Sequence, residues 1–283
     1  MSAQTLSDRP RVPYLRALIA WGVAVVLLMP VYWLAVTIIS PTSAILSRKP
    51  HLVPSLDAID FSAFVRIFTE RPVLIWLGNS VIVTVVAIVV TLFAALPAGY
   101  AISRASGFLR DLVGYILLVS LVLPATLIVI PIFQVYGMLG ILDRPVAVGF
   151  AVASTTVPFS AWMMKTYFDS IPRDLEEAAM VDGVSRFRIF TSVILPISGP
   201  GIGAVLAFTS IWAWADFLYA STLLLRDTSW TMTIGIVTFI GEYAADWQGL
   251  MATGLVATIP LLIIFLGLQR LLVEGLTGGA VKD

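Results

Sequence analysis

The chain has 283 residues, of which 59% are apolar and 12% charged, about half of the charged fraction usual in soluble domains. Lys plus Arg and Asp plus Glu number 17 each, and the mean hydropathy is +0.98, so the composition excludes a water-soluble globule and offers no basic excess for nucleic acid. No cysteine is present and His51 is the single histidine, which excludes a disulfide framework, a thiolate site and a histidine-based metal cluster.

Six apolar runs are long enough to cross a bilayer as helices, which takes about 20 residues each. Each run is bounded by charged or turn-forming residues and is apolar nearly all round, as expected for helices that face lipid or one another. The predicted fold is therefore an all-α membrane protein with six transmembrane helices. The predicted spans are residues 17–39, 77–102, 112–136, 146–164, 197–225 and 250–272.

Charge in the connecting segments predicts the orientation. Six spans place both termini on one side, and eleven of the 17 Lys and Arg residues fall on that side against six on the other. By the positive-inside rule both termini are predicted to be cytoplasmic. We expect a cytoplasmic N-terminus over 1–16, one transmembrane domain over 17–272 and a cytoplasmic tail over 273–283.

The first outer connection is long enough to hold structure of its own. Within it Phe61, Phe64, Val65 and Phe68 fall at helical spacing. This pattern predicts a short interfacial helix over Ser55–Phe68.

The cytoplasmic connection between spans four and five, residues 171–196, is too polar for a membrane segment. Pro172 suits a first helical turn, and the acids that follow it suit the positive end of a helix dipole. Gly183 predicts a left-handed C-terminal cap, after which Ser185 is expected to cap a second helix. That helix should place Phe187, Phe190 and Ile194 on one side and end at Pro196. A helix-turn-helix on the cytoplasmic surface is predicted.

The same loop carries a recognisable pattern. Glu177-Ala178-Ala179, then Gly183, then Leu195-Pro196 resemble the EAA loop of ABC-importer permease subunits, with Val193 where that pattern usually has Ile. The chain resembles the six-span permease of carbohydrate-uptake importers of the maltose type, which depend on a binding protein. Further segments with this likeness are Asn79-Ser80, Ala98–Arg104, Ile171-Pro172 and the tail Gly275–Lys282.

The resemblance implies a transport subunit for a sugar or polyol that works with a second, different permease, two cytoplasmic ATP-binding subunits and an extracytoplasmic solute-binding protein. The residues that it assigns to coupling with the ATPase are Glu176, Glu177, Ala178, Ala179, Asp182, Gly183, Leu195 and Pro196. The tail residues that it assigns to contact with the ATPase are Gly275, Leu276, Thr277 and Lys282. Physical chemistry alone is equally compatible with an amphipathic linker that covers the membrane face.

The chain is expected to be non-catalytic and to hold no cofactor. A Walker phosphate loop needs Gly-Lys-Ser or Gly-Lys-Thr, whereas Arg48, Met164 and Val281 precede the three lysines. ATP and Mg²⁺ are therefore expected on the partner ATPase subunits.

An acid inside the fifth predicted span is a second candidate site. Asp216 lies near Trp212, Trp214 and Tyr219 in the sequence, and charge in lipid is costly enough to indicate function. Aromatic rings stack on pyranoses and a carboxylate accepts hydrogen bonds from hydroxyls, so these four residues are candidates for lining a translocation pathway. The alternative is a structural hydrogen bond between helices. Ala215 replaces the Asn that the family often has before the acid, which leaves the role of that amide open.

Residues 226–249, ahead of the sixth span, form an aromatic and acidic outer loop. Glu242, Tyr243 and Trp247 are candidates for contact with the docked binding protein, as the resemblance suggests, or they belong to an interfacial aromatic belt.

Three other functions compete with the sugar permease. A peptide or amino-acid ABC permease differs mainly in the C-terminal tail. A secondary transporter with Asp216 as its coupling acid has no reason to shape residues 171–196 as a docking surface. An intramembrane enzyme is disfavoured because the predicted spans hold no close pair of titratable residues.

Overall fold

The computed structural model describes residues 14–41, 45, 53, 59–241 and 245–278. Nearly all of these residues are helical, as the composition predicts. The helices, in chain order, are α1 (Tyr14–Ile39), α2 (Ser62–Thr69), α3 (Val73–Arg104), α4 (Phe108–Val122), α5 (Ala125–Met138), α6 (Pro145–Asp169), α7 (Asp174–Val181), α8 (Arg186–Ile197), α9 (Gly199–Trp214), α10 (Leu218–Leu223), α11 (Met232–Val237) and α12 (Trp247–Gly278).

Four of these helices are long and apolar enough to cross a membrane, namely α1, α3, α6 and α12. Two further pairs qualify only as bent spans. The axes of α4 and α5 meet at 94°, and those of α8 and α9 meet at 77°. The described part of the chain therefore contains four candidate spans, or up to six if each bent pair crosses as one.

The sequence predicted one continuous span over 112–136, and the structure divides it. Helix α4 ends at Val122, Leu123 and Pro124 are extended, and α5 begins at Ala125. Proline disfavours the helical conformation of the residue before it, so Leu123 leaves the helix and the chain turns sharply. Pro131, inside α5, is accommodated without such a break.

The predicted continuous span over 197–225 is also divided. The chain bends at Ser198, α9 ends at Trp214, and the short helix α10 follows after residues 215–217. The Asp216 carboxylate accepts hydrogen bonds from the backbone N–H groups of Ala220 (2.9 Å) and Tyr219 (3.4 Å). These bonds satisfy the first turn of α10 and favour a new helix start over continuation of α9.

Helices α3 and α6 form the centre of the molecule. A Cβ added at Gly99 would lie 2.8 Å from Met164 Cβ and 2.9 Å from the backbone oxygen of Ala161, and one at Gly149 would lie 2.6 Å from Val86 Cβ. Small residues thus let the two backbones approach closely, as is common between membrane helices. A buried hydrogen bond between the Thr91 and Thr156 hydroxyls, 2.7 Å long, adds a polar contact in the same interface.

Helix α1 contacts the rest of the chain mainly at its C-terminal end. Leu34 and Ile38 pack in the cluster formed with α2, α3 and α12, and Gln248 Nε2 donates a 2.7 Å hydrogen bond to the Ser40 carbonyl. The preceding turns are exposed, for example at Trp21. Most of α1 therefore presents an apolar surface to surroundings outside this chain.

Helix α2 covers the second half of the predicted interfacial helix Ser55–Phe68. Its Ala63 and Ile67 are buried, and Arg66 Nη2 contacts both carboxylate oxygens of Asp246 at 2.8 Å, which ties α2 to the start of α12. His51 and residues 54–58 lie outside the described residues.

The short connection between α5 and α6 is fixed by Asp143, which has a φ of +61°. Its N–H donates to the Leu223 carbonyl, and its carboxylate accepts hydrogen bonds from the N–H groups of Leu225 and Arg226 and from the Arg226 guanidinium. Burial raises the pKa of Asp143, but these donors outweigh it and lower the pKa to about 2. The connection is thereby attached to the segment that follows α10.

Candidate functional site

The predicted helix-turn-helix at residues 171–196 is present as α7 and α8. Gly183 has a φ of +78°, as its predicted left-handed cap requires. Its N–H donates to the Met180 carbonyl (3.0 Å) and the Val184 N–H donates to the Ala179 carbonyl (3.1 Å), the pair of bonds that defines a Schellman motif. The turn therefore has one defined geometry, and the orientation of α7 relative to α8 follows from it.

The second helix departs from prediction in two respects. Ser185 occupies the N-cap position, but its side chain makes no capping hydrogen bond. Residues Phe190–Ile194 form wider π-helical turns, which shifts the helical phase. Ile194 is buried as predicted, whereas Phe187 is 77% exposed instead of lying on the same side.

The assigned coupling residues divide into an outward set and an inward one. Glu177 and Asp182 are exposed, and the neighbouring Val181 is 89% exposed. Ala178 is exposed too, while Ala179 packs against the cluster that includes Phe168 and Ile189. At the far end of α8 the side chain of Leu195 is half-buried and that of Pro196 is exposed.

Glu176 points inward. Its carboxylate accepts hydrogen bonds from Arg104 Nε (2.6 Å) and from the Tyr100 hydroxyl (2.7 Å), both on α3. Beside this pair lies an open cavity of about 480 Å³ whose lining includes Glu177, Met180 and the Arg104 side chain. No role was predicted for Tyr100 or Arg104 from the sequence. The available signal was an aromatic residue and a cation at the C-terminal end of an apolar run, in a segment that shares the family likeness.

The four predicted pathway residues do not share one surface. Trp212 is 55% exposed, whereas Trp214 is buried and donates from Nε1 to the Ala257 carbonyl of α12 (3.0 Å). Tyr219 is also buried, and Asp216 is partly buried with its carboxylate at the start of α10. The structure thus brings Asp216 and Tyr219 together and places Trp212 apart from the buried Trp214.

The residues predicted to contact the binding protein, and the tail residues predicted to contact the ATPase, are described only in part. Glu242, Tyr243 and Lys282 lie outside the described residues, and Trp247 begins α12 with its side chain 37% exposed. Helix α12 continues through Gly275, Leu276 and Thr277, so the segment predicted as a tail over 273–283 is helical as far as Gly278.

Asn79 and Ser80, near the N-terminal end of α3, have a clear structural role. Asn79 Nδ2 donates to the carbonyls of Thr228 (3.0 Å) and Trp230 (2.9 Å), and the Ser80 hydroxyl accepts from the Met232 N–H (2.8 Å). These bonds hold residues 228–230 and the start of α11 against α3.

Comparison with known proteins gives a consistent result. Residues 91–278 match the sequence profile of the family described as binding-protein-dependent transport system inner membrane component. The chain is 32% identical over 258 residues to the diacetylchitobiose uptake system permease protein DasC of Streptomyces coelicolor, covering 90% of this chain and 92% of that one. It is 31% identical over 263 residues to the trehalose/maltose transport system permease protein MalG of Thermococcus litoralis, covering 92% and 93%.

The fold is also similar to a solved one. A chain from the crystal structure of a bacterial ABC transporter involved in the import of the acidic polysaccharide alginate superimposes with a TM-score of 0.76. The sequence identity is 23%, and the match covers 95% of this chain and 99% of that one. The likeness therefore extends over the whole described fold.

Proposed function

Because the chain belongs to the family of inner-membrane components of binding-protein-dependent transport systems, we propose that it is one of two different permease subunits of an ATP-driven sugar importer. Two relatives are permeases named for uptake of diacetylchitobiose and of trehalose/maltose, which favours a sugar or polyol as the substrate class. Two partner subunits bind ATP and Mg²⁺ and hydrolyse the ATP. An extracytoplasmic solute-binding protein delivers the sugar.

The observation that carries this proposal is the outward surface of α7 and α8, formed by Glu177, Val181, Asp182 and Phe187. Exposed apolar side chains rimmed by charge are typical of a protein interface. The short helix is set by a defined turn at Gly183, so it presents these groups in one orientation. We assign this surface to the groove of an ATP-binding subunit.

The proposed membrane arrangement has six spans and both termini in the cytoplasm. Helices α4 and α5 together form the third span, and α9 is the membrane-crossing part of the fifth. This orientation places α7 and α8 at the cytoplasmic face. Helices α2, α10 and α11 then lie toward the outside, where Trp247, Glu242 and Tyr243 are proposed to meet the binding protein. The tail residues from Gly275 onward are proposed to reach the ATPase.

The translocation pathway is proposed to run beside the divided fifth span. Non-helical backbone at membrane depth is tolerated where it is buried in protein or lines a water-filled cavity. Residues 215–217 are non-helical, with Ala215 and Phe217 exposed on this chain, so they are proposed to line such a cavity. Trp212 supplies the exposed ring, and Asp216 supplies the acid at the break. Trp214 and Tyr219 support them from the buried side.

The function is tested by reconstitution of the chain with its co-encoded permease, ATPase and binding protein in proteoliposomes. Radiolabelled trehalose, maltose and diacetylchitobiose are the sugar probes, and labelled amino acids and peptides are the alternatives. Uptake of a sugar that requires both MgATP and the binding protein supports the proposal. Uptake of only amino acids or peptides would favour the other importer class, and proton-driven uptake by the lone chain would overturn the ABC assignment.

The docking surface is tested by reversal of one charge. Glu177→Lys should weaken co-purification of the ATPase, because the charge that faces the partner changes sign and a cation is placed in the first turn of α7. Asp111→Lys changes another exposed acid, in the first turn of α4, and is the control that should leave co-purification unchanged. Equal co-purification of both variants and the parent would contradict the assignment of this surface.

Asp216 is tested by Asp216→Asn in the same reconstituted complex. Asn keeps the size and one acceptor for the N–H groups of α10 but removes the charge, so we expect assembly to be retained and the KM for sugar to change. Unchanged transport kinetics with a less stable complex would assign Asp216 to the fold alone.

A further inference from the structure

The contacts of Glu176 connect α7 to a helix that is remote in sequence. The side chains of Glu176 and Arg104 are only 11% and 15% exposed, and their shortest distance is 2.6 Å, from Arg104 Nε to Glu176 Oε1. The second carboxylate oxygen accepts from the Tyr100 hydroxyl at 2.7 Å. Both oxygens are therefore engaged by α3, and neither is directed toward the exposed docking surface.

Arg104 is itself held from several sides. Its Nη1 donates to the Phe168 carbonyl of α6 (3.0 Å) and to the Ser103 hydroxyl (2.8 Å), and its guanidinium lies 5.6 Å from the centre of the Tyr100 ring. The Ser103 hydroxyl donates in turn to Asp169 Oδ1 (2.6 Å), at the end of α6. One connected polar network thus joins α7 to the cytoplasmic ends of both α3 and α6.

The apolar contacts follow the same route. The centre of the Tyr100 ring lies 4.8 Å from the centre of the Phe190 ring in α8 and 5.7 Å from the centre of the Phe168 ring in α6. The close approach of α3 and α6 at Gly99 lies one residue before Tyr100. The loop therefore sits on the end of the α3–α6 pair.

The covalent route out of the loop is different. Helix α8 contains π-helical turns over Phe190–Ile194 and meets α9 at 77° across Ser198. Irregular turns and a sharp bend mark a place where a helix can change direction. Along the backbone a displacement of α7 therefore reaches α9 through a bend, whereas it reaches α3 directly through a buried ion pair.

We propose that Glu176 and Arg104 are positioning residues that fix α7 to α3, so that a movement imposed by the ATPase is delivered to the α3–α6 pair as one rigid unit. This inference rests on the proposed function, because it requires an ATPase docked on the outward surface of α7. A buried ion pair suits this role, since loss of one partner leaves an uncompensated buried charge and intermediate geometries are strongly disfavoured.

Distances in the assembled importer test the proposal directly. The native chain has no cysteine, so spin labels can be placed by Ser106→Cys, Asp174→Cys and Ile211→Cys, all at exposed positions. The pair 106–174 reports the connection directly after the end of α3 against α7, and the pair 174–211 reports α7 against α9. The probe is MgATP with vanadate, measured by double electron–electron resonance. We expect the 106–174 distance to stay constant on nucleotide trapping while the 174–211 distance changes.

Glu176→Ala should then make the 106–174 distribution broad and sensitive to nucleotide. ATP hydrolysis should persist because the docking surface is intact, but its stimulation by the binding protein should fall about fivefold or more, the usual lower range for coupling between sites. Asp246→Ala is the matched control, since it breaks the Arg66–Asp246 ion pair on the other side of the molecule. It should leave the 106–174 distance at the parental value.

A double variant covers the case in which Glu176→Ala does not assemble. Arg104→Gln with Glu176→Gln removes both charges together and leaves none unpaired, and it should give the same broadening and the same loss of stimulation. Parental distances and stimulation in the variant that assembles would overturn the proposal, as would a 106–174 distance that changes in the parent. A parent complex with no ATPase activity would instead reject the proposed function, and this inference would fall with it.

Discussion

At Gly183 a single residue determines a conformation through its backbone alone, without any side-chain contact. Its φ of +78° lies in the left-handed region, and a Cβ added there would meet no atom within 4 Å. Substitution at this position therefore tests backbone strain alone. The same φ would be tolerated by Asn, which visits this region more readily than other residues with a side chain.

We predict that Gly183→Val strains the turn by about 1–2 kcal/mol, on the order of a tenfold shift in the docking equilibrium. Binding-protein-stimulated ATP hydrolysis by the assembled complex should fall accordingly, while binding of sugar to the binding protein stays unchanged. Gly183→Asn is the matched control and should retain most of the activity. Parental ATP hydrolysis in the Gly183→Val variant would show that the geometry of this turn does not affect coupling to the ATPase.

Asp143 is a second residue whose role depends on local geometry. Since its pKa is lowered to about 2, the carboxylate form is favoured by the folded state. The corresponding stability is fully present above the unfolded pKa of about 3.9 and is lost as the pH falls through 2. The hydrogen bonds that attach the α5–α6 connection to residues 223–226 should therefore break only in strong acid.

We predict that Asp143→Asn weakens the attachment of the α5–α6 connection to residues 223–226 by about 1.5–3 kcal/mol at neutral pH, because the hydrogen bonds to the carboxylate are charge-assisted. Pepsin cleavage between pH 4 and pH 2 measures the opening in the parent, which should rise steeply toward pH 2. In the variant the cleavage rate should be high throughout and vary less with pH. A parent with the same rate at both pH values would contradict the assigned ionisation.

At the scale of elements, the α3–α6 pair depends on glycine at the crossing point. A methyl group at Gly99 would meet Met164 Cβ at 2.8 Å and the backbone of Ala161 and Lys165 at 2.9 Å. Backbone atoms cannot move aside as the end of a flexible side chain can. The two helices would have to separate.

We predict that Gly99→Ala destabilises the protein by about 1–3 kcal/mol, the usual cost of overpacking. Gly78→Ala is the control on the same helix, because a Cβ there meets nothing within 4 Å and alanine favours the helix. Thermal unfolding in detergent compares the two variants. Equal unfolding midpoints for the two variants would show that α3 and α6 can separate at Gly99 with little loss of stability.

Elements were predictable to different degrees. The apolar runs at α1, α3, α6 and α12 predicted helices correctly because each run is long and apolar enough to cross a membrane, even with a proline inside it. The runs 112–136 and 197–225 were each predicted as one span, and the structure interrupts the helices there at Leu123, beside Pro124, and at residues 215–217, which include Asp216. Proline and acids occur inside intact spans as well, so only the packing of neighbouring helices decides which of them ends a helix.

At the scale of the whole molecule, the resemblance drawn from the loop 171–196 is confirmed by the family match over residues 91–278. A transport subunit follows from family membership. The orientation in the membrane stays a prediction, which the absence of cysteine makes simple to test.

We predict that a cysteine introduced by Ser185→Cys reacts with a membrane-impermeant thiol reagent only from the cytoplasmic side. One introduced by Asp227→Cys should react only from the outside, because the two exposed positions lie at opposite ends of the spans. Labelling of intact cells against inverted vesicles measures this. The opposite pattern would reverse the proposed topology.

The sequence by itself determined the membrane class, the four long apolar helices, the left-handed turn at Gly183 and the family, because these depend on composition, run length and local backbone preference. The tertiary structure alone decided that Glu176 points inward while Glu177 points outward. Adjacent helical residues differ by about 100° in direction, and which one faces the protein depends on where Arg104 and Tyr100 lie. Those partners are about 70 residues away in the chain, so no local pattern encodes the contact, and only the packing of α3 against α6 and α7 creates it.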